Sequence, residues 1–267
     1  MLALTPLPVS SPWILLLARA ISCNRGLVTL ASVVPGALAR QPERLDELHD
    51  ALKRCAERFR MGVVARVQPA GDTWSGVREL VRTYGFGPLV PNTVLVGSPV
   101  DADATVAFGG IREPQTAQQD LPGGRGDLRL DVWWRGQNAN GAFMLALACL
   151  VQRGTLRRVR LRLCQIAEAG ASVAACTRVL EDFARQARIE AEVCVVEGDG
   201  RPFAVRISEL SAAADATCIG LRMPRADETP DSYWDYFRTL RDATAPLPLV
   251  AFALASEQVN FKSIFRN

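Results

Sequence analysis

Histidine is almost absent from this sequence, since His49 is the only one in 267 residues. A Ser-His-Asp or Cys-His catalytic site would have to use it, because such sites need a base beside the nucleophile. His49 lies well inside a predicted helix over residues 42–60, on the flank of its apolar stripe. The GxSxG turn of many hydrolases is also missing. We therefore expect no catalytic site and no enzyme activity.

The seven cysteines form no CxxC pair and are spread among mostly apolar neighbours. An odd number without regular spacing does not suit a disulfide framework, and a zinc site needs three or four suitably spaced ligands. We expect free, mostly buried thiols in a reducing cytosolic compartment, and no metal site.

Long hydrophobic runs are missing as well. The first 18 residues carry no charge, but Pro6, Pro8 and Pro12 interrupt them. The apolar run over residues 142–151 is shorter than the about 20 residues that a membrane-spanning helix needs. We expect the chain as written to be soluble.

Basic charge is present without a large excess, because 31 Lys and Arg oppose 28 Asp and Glu. A net charge of +3 does not indicate nucleic-acid binding. In the densest basic cluster, Arg158, Arg160 and Arg162 would share one face of a strand. That face could attract anionic lipid headgroups. It could equally pair with nearby carboxylates or face water at a sheet edge. We favour this structural interpretation, in either form, over lipid binding.

Apolar runs of strand length alternate with amphipathic helical segments along the chain. In the first half, the predicted strands are residues 1–5, 27–34, 61–67 and 93–96. After a polar, turn-rich stretch over residues 98–125, in which residues 106–108 could form a short strand, the predicted strands are 128–134, 158–166, 192–196, 216–221 and 247–253. This alternation predicts parallel sheets with right-handed crossovers.

The similar rhythm of the two halves predicts an α/β fold built from two pseudo-repeated Rossmann-like units. Each would have a mainly parallel sheet with helices on both faces. We place the first unit at residues 1–120, including the polar loop 98–125, and the second at residues 121–267.

Two segments are the most informative in the sequence. In YGFGPLVPNTVLVG, residues 84–97, Gly85, Gly87 and Pro91 are predicted to close a helix and turn the chain. The apolar run that follows Asn92, residues 93–96, is typical of a strand buried on both faces.

The second segment is DLRLDVWW, residues 127–134, where apolar and polar residues alternate before a tryptophan pair. Asp131 is polar within an apolar strand, so it should find a hydrogen-bond partner and have a structural role. Trp133 and Trp134 would lie on opposite faces of a regular strand. We expect both in the core, with an interface anchor as the alternative for one of them.

Together these segments resemble the GLGxxxPNTVxxG and xxIDVWW motifs of the C-terminal cytosolic domain of cation-chloride cotransporters. The likeness continues into GAFMLALACLVQRG and RRVRLRLCQI, and more weakly into SPWILLLARAISCNRGLVTLASVV near the start. The positions that match the two motifs have structural roles in this interpretation: Gly85, Gly87, Pro91, Asn92, Thr93, Gly97, Asp131, Trp133 and Trp134.

The resemblance implies a universal-stress-protein-like fold and a regulatory, non-catalytic role at the inner face of the membrane. It also implies two partners, a second copy of the chain and the membrane domain of the same transporter, and no part in binding the transported ions. Phosphorylation, which regulates animal members, would have only Ser98, Thr105 and Thr116 as hydroxyl acceptors in the polar loop.

A nucleotide-binding sensor is the alternative function. VLVGSP, residues 94–99, resembles part of the nucleotide-binding pattern of universal stress proteins, although Pro99 and the missing GxxG depart from that pattern. An adenine nucleotide would lie at the carboxyl ends of the strands, near Thr5, Pro35, Gly97 and Ser98. LPGGRGD, residues 121–127, is no phosphate loop, because it precedes a strand where such a loop follows one and opens a helix.

A small-molecule enzyme of doubly wound fold is the third hypothesis, and the lack of a catalytic cluster weakens it. Loss of a measured turnover in a His49→Ala variant would restore it. No cofactor is expected under the first hypothesis.

Overall fold

The computed structural model describes residues 1–5, 12–22, 26–58, 62–85, 91–96, 127–135, 139–154 and 158–255. The chain divides into two compact units, Met1–Gly109 and Gly110–Asn267. The junction lies outside the described residues, as does the whole of the predicted polar loop 98–125, so the predicted boundary at residue 120 stays a prediction.

The first unit alternates strands and helices. Its elements are β1 (Leu2–Leu4), α1 (Pro12–Ser22), β2 (Val28–Pro35), a 3₁₀ helix (Gly36–Arg40), α2 (Pro42–Arg58), β3 (Val63–Ala70), α3 (Thr73–Thr83) and β4 (Val94–Val96). The four strands are parallel and stand in the order β3-β2-β1-β4.

Each face of this sheet has its own apolar core. On one face, Leu30 of β2 packs with Ile14 and Leu15 of α1 and with Leu52 of α2. On the other face, Leu2, Leu4 and Ala31 pack with Leu80 of α3. Side chains alternate between the faces of a strand, so consecutive apolar residues of β1 serve both cores.

The second unit also alternates strands and helices, and it has one more described strand than the first. Its elements are β5 (Leu128–Trp133), α4 (Ala139–Gly154), β6 (Val159–Ala167), α5 (Val173–Gln186), β7 (Ala191–Glu197), α6 (Phe203–Leu210), β8 (Ala216–Gly220), α7 (Pro230–Ala243) and β9 (Val250–Ala253). All five strands are parallel, in the order β7-β6-β5-β8-β9.

Two cores again enclose the sheet. Val132 of β5 and Trp134, directly after the strand, pack in the core that also holds Leu145 of α4 and Leu180 of α5. Trp133, one position away, lies in the opposite core with residues of α6 and α7. Numbered within each unit, both sheets follow the order 3-2-1-4, and helices cover both faces. The predicted fold of two Rossmann-like units is confirmed.

The predicted elements correspond to observed ones, with shifts at their ends. β3 continues through Pro69 to Ala70, whereas the sequence predicted its end at residue 67. Proline lacks the N–H that a central strand needs, but β3 lies at the edge of its sheet. β4 was expected to be buried on both faces; its residues are only half-buried, and it lies at the other edge of the described sheet.

No helix in the described ranges is long and apolar enough to cross a membrane. The predicted strand at residues 106–108 and the predicted helix-closing Gly87 lie outside the described residues.

Gly76 of α3 lets this helix approach β2 closely. A Cβ atom at Gly76 would lie 2.5 Å from Val33 Cγ1 and 2.8 Å from Ala70 Cβ. We expect Gly76→Ala to lower the free energy of unfolding by about 1–2 kcal/mol, because overpacking outweighs the gain in helix propensity. Urea denaturation measures the change.

Gly71→Ala is the matched control, because nothing lies within 4 Å of a Cβ atom at Gly71. This variant should unfold within about 0.5 kcal/mol of the parent chain. Equal stability of the two variants would contradict the close packing of α3 on β2.

Candidate functional site

The carboxyl edge of the second sheet is where a doubly wound fold would hold a ligand. Strand addition changes direction at β5, because β6 and β7 lie on one side of it and β8 and β9 on the other. Open α/β sheets bind ligands outside the carboxyl ends of the strands at such a switch point. Here the ends of β5, β8 and β9 meet the start of α4.

Asn140, in the first turn of α4, occupies this edge. Its Nδ2 donates a hydrogen bond to the carbonyl oxygen of Leu221, just after β8, and its Oδ1 accepts one of 2.6 Å from the backbone N–H of Ala255, after β9. A Cβ atom at Gly220 would lie 3.3 Å from Asn140 Cβ and 3.2 Å from Met144 Cε. The chain thus ties α4 to two strand ends at the position where a ligand would bind.

The loop that follows β8 is held by a second set of side chains. The Arg222 guanidinium forms a two-pronged ion pair with the Glu228 carboxylate, with 2.6 Å between Nη1 and Oε2. Its central carbon lies 4.3 Å from the ring centre of Tyr236 and 5.2 Å from that of Tyr233, both on α7. The Tyr233 hydroxyl also donates to the Arg222 carbonyl oxygen at 2.8 Å. The loop is therefore closed onto α7 by its own residues.

Glu228 is stabilised as a carboxylate. Hydrogen bonds from Arg222 lower its pKa to about 2, and the backbone N–H of Arg225 and the hydroxyl of Ser232 add to this effect. Its oxygens are therefore occupied by Arg222, by the backbone N–H of Arg225 and by the Ser232 hydroxyl, which hold it in the ionised form.

Deeper in the sheet, Asp131 of β5 is completely buried and is neutralised by arginines. Arg162 Nε on β6 donates to Asp131 Oδ1 at 3.0 Å, and its Nη2 donates to Oδ2. Arg129 Nε donates to Oδ1 at 3.1 Å, and the Ser211 hydroxyl donates to Oδ2 at 2.7 Å. These partners are the kind that a buried carboxylate requires, because an isolated charge there would be very unfavourable.

The same network anchors the end of α6 to the sheet. Ser211 follows the last residue of α6 and accepts a 2.9 Å hydrogen bond from Trp133 Nε1, while Arg162 Nη2 donates to the Leu210 carbonyl oxygen at 2.7 Å. Burial would lower the pKa of Arg162, but the Asp131 carboxylate outweighs it and the pKa is raised. Arg162 therefore remains a cation.

The polar side chains of this edge and of the strands beneath it bond to other groups of the same chain. Asp131 and Glu228 both pair with guanidinium groups, and Asn140 bonds backbone atoms. No cluster of His, Cys, Asp and Glu side chains that could hold a metal ion occurs in the described ranges. His49 is half-buried, and its Nε2 lies 3.1 Å from the Ala65 carbonyl oxygen.

The first unit places two of the predicted nucleotide-binding residues at one edge. Thr5 follows β1 and Pro35 ends β2, and both lie at the carboxyl edge of the sheet. Thr5 is buried and donates its backbone N–H to Ala31, whereas Pro35 is exposed. Gly97 and Ser98 lie outside the described residues.

An open depression of about 570 Å³ adjoins this edge at the ends of β2 and β3. Its lining combines small residues with one cation: Gly36, Ala39, Arg40, Pro69, Ala70 and Gly71.

Each arginine of the predicted basic face lies opposite a carboxylate. Arg158 and Glu190 approach to 3.9 Å and Arg160 and Asp127 to 3.5 Å, in exposed pairs, while Arg162 belongs to the buried network. The interpretation favoured from the sequence covered both such pairing and exposure to water.

The other motif residues lie where the chain packs or turns. Trp133, the last residue of β5, and Trp134, directly after it, are buried in different cores. Gly85 follows α3, and Pro91, Asn92 and Thr93 lead into β4, where the Thr93 carbonyl oxygen accepts a hydrogen bond from the backbone N–H of Leu2.

Sequence reasoning missed Asn140, Arg222, Glu228 and Ser211. An asparagine at a helix start normally suggests a cap, and that signal could have drawn attention to Asn140. The pairing of Arg222 with Glu228 follows no helical or strand period, since the two residues lie in an irregular loop.

We expect Asp131→Asn to lower the free energy of unfolding by about 3 kcal/mol, because it leaves the Arg162 cation buried without its counter-charge. Asp127→Asn is the matched control: it removes a carboxylate from an exposed pair with Arg160 and should cost less than about 1 kcal/mol. Chemical denaturation of both variants measures the difference. Similar small losses in both would contradict a structural role for Asp131.

No family model matches the chain. Among solved structures, it is similar to a universal stress protein from Archaeoglobus fulgidus DSM 4304, with 14% identity and a TM-score of 0.59 over 94% of this chain and 95% of that one. It is also similar to a candidate universal stress protein from Pseudomonas aeruginosa UCBPP-PA14, with 12% identity and a TM-score of 0.52 over 94% and 91%. These likenesses show a universal-stress-protein-like fold and lend no support to the cotransporter assignment.

Proposed function

We propose that this chain is a non-catalytic regulatory and dimerisation domain of a membrane transporter, of the kind found in cation-chloride cotransporters. The observation that carries the proposal is the position of Asn140, whose amide bonds both Leu221 and Ala255 where a doubly wound sheet would hold a ligand. Because Asn140 bonds the chain's own backbone at this edge, the unit in this proposal acts through its surfaces.

The two sequence motifs supply the family part of the proposal. PNTVLV leads into and forms β4, which pairs with β1. LDVWW covers the second half of β5, the central strand of the described sheet, and the residue after it. Their residues build the cores, so a shared pattern at both places supports a shared construction. The fold alone is also compatible with a free-standing stress-protein-like module.

Regulation in this proposal acts through a dimer at the inner face of the membrane. The domain contacts the membrane domain of its transporter and shifts the populations of transporter states. Such a shift requires contacts that differ in free energy between the states. A reading frame that places hydrophobic spans of about 20 residues each ahead of Met1 would connect the chain to a membrane domain.

A nucleotide sensor is the second candidate, and the first unit favours it. The depression beside β2 and β3 is within the size range of small-molecule sites, and Arg40 supplies a cation for a phosphate. The solved universal stress proteins share this fold at 14% and 12% identity.

Static light scattering over a concentration range tests the dimer. We expect the mass to approach twice the 29.0 kDa of one chain at high micromolar protein. Self-association follows mass action, so dilution should return the monomer mass. A mass of 29.0 kDa at every concentration would contradict dimerisation by this chain.

Titration calorimetry with ATP, ADP and AMP separates the two functions. Under the regulatory-domain proposal we expect no saturable heat at millimolar nucleotide. Saturable heat that is lost in Arg40→Gln but retained in Arg44→Gln would favour the sensor, since Arg44 pairs with Glu47 on the exposed face of α2.

A further inference from the structure

Two cysteines lie side by side in the second sheet. Cys164 of β6 and Cys194 of β7 are direct register partners on neighbouring parallel strands. Neighbouring strands are about 4.8 Å apart, which is within the Cα separations of about 4.4–6.8 Å that disulfides span. No other cysteine of the described ranges has a cysteine as its register partner.

The two thiols differ in accessibility. Cys164 is completely buried in the core formed with α6 and α7, whereas Cys194 is half-buried on β7, the edge strand of the described sheet. A reagent from solvent therefore meets Cys194 first, and Cys164 lies directly behind it.

A fixed cation adjoins the accessible thiol. Arg162 Nη1 lies 3.8 Å from Cys194 Sγ, and the guanidinium is held in place by Asp131 and by the Leu210 carbonyl oxygen. The hydrogen bond from Cys164 and the charge of Arg162 lower the pKa of Cys194 to about 6, against the opposing effect of burial. The hydrogen bond to Cys194 and burial raise the pKa of Cys164. The thiolate is the reactive form of cysteine, so reactivity concentrates on Cys194.

We propose that Cys194 is a peroxide-reactive thiol and that Cys164 resolves its oxidised form into a disulfide between β6 and β7. The Cys194 thiolate attacks one oxygen of hydrogen peroxide, the O–O bond breaks, and the departing hydroxide takes up a proton to become water. The sulfur of Cys164 then attacks the sulfenic sulfur, the S–O bond breaks, and the hydroxide leaves as water with the proton of Cys164.

In total, two thiols lose two electrons and one peroxide is reduced to two waters. An accessible, activated thiol with a resolving partner is the arrangement from which reversible oxidation proceeds. The product would join the edge strand covalently to the strand beside it.

Peptide mapping of the full chain after brief exposure to hydrogen peroxide tests the inference. We expect a reducible disulfide between the peptides of β6 and β7 in the parent chain and in Cys176→Ser. Cys176 is the matched control, because it is half-exposed on α5 and has no cysteine partner in the sheet. Cys194→Ser should lose the disulfide, and Cys194 in the parent should alkylate at least about threefold faster than Cys176.

The Cys164→Ser variant should stop at the sulfenic acid, which a dimedone probe traps on Cys194. Cys164→Ala keeps the core apolar and serves the same purpose if the serine variant does not fold. Reaction of Cys194 no faster than Cys176, or a disulfide to any other cysteine, would overturn the inference. So would a Cys164 variant in which no sulfenic acid forms at Cys194.

Discussion

The buried carboxylate of Asp131 is the constraint on which the second unit depends. A charge without water is tolerated only when fixed partners neutralise it, and Arg162 and Arg129 must therefore stay on the same face of the sheet. Ser211 and the Leu210 carbonyl oxygen join the same network, so the end of α6 has one position relative to β5 and β6. Neutralising this one carboxylate therefore favours a single register between β5 and β6 and a single position for the end of α6.

At the carboxyl edge of the same unit, side chains of the chain itself bond the ends of the strands. Parallel α/β sheets place loops and helix starts at this edge, which is why they hold nucleotides there so often. In this chain the amide of Asn140 and the Arg222–Glu228 pair take those positions and bond their own backbone and side chains. These bonds hold the start of α4 and the loop after β8 against the ends of the strands.

Arg162 connects this architecture with the thiol pair. One guanidinium neutralises Asp131, holds the end of α6 and adjoins Cys194 at the sheet edge. The position of the Cys194 thiol is thus tied to a cation that the buried Asp131 carboxylate holds in place. Arg162 therefore affects both the packing of α6 and the chemistry of the Cys194 thiol on the edge strand.

Much of the architecture could be predicted from the sequence, because buried strands and helices each require apolar residues at a characteristic spacing along the chain. Strands of a parallel sheet need apolar residues on both faces and helices need one apolar stripe, so residues such as Leu128–Trp133 and Leu52 reveal their elements locally. The alternation of those elements also predicted parallel order and two units.

The tertiary structure alone decided which distant residues meet. Asn140 lies 115 positions from Ala255, and Cys164 meets Cys194 through a strand register that no local pattern encodes. Likewise, β3 can include Pro69 because it is an edge strand of the described sheet, and the sequence alone did not show that position. Local periodicity reports only whether a side chain is buried; its neighbours depend on strand order, which arises when the whole chain closes around its cores.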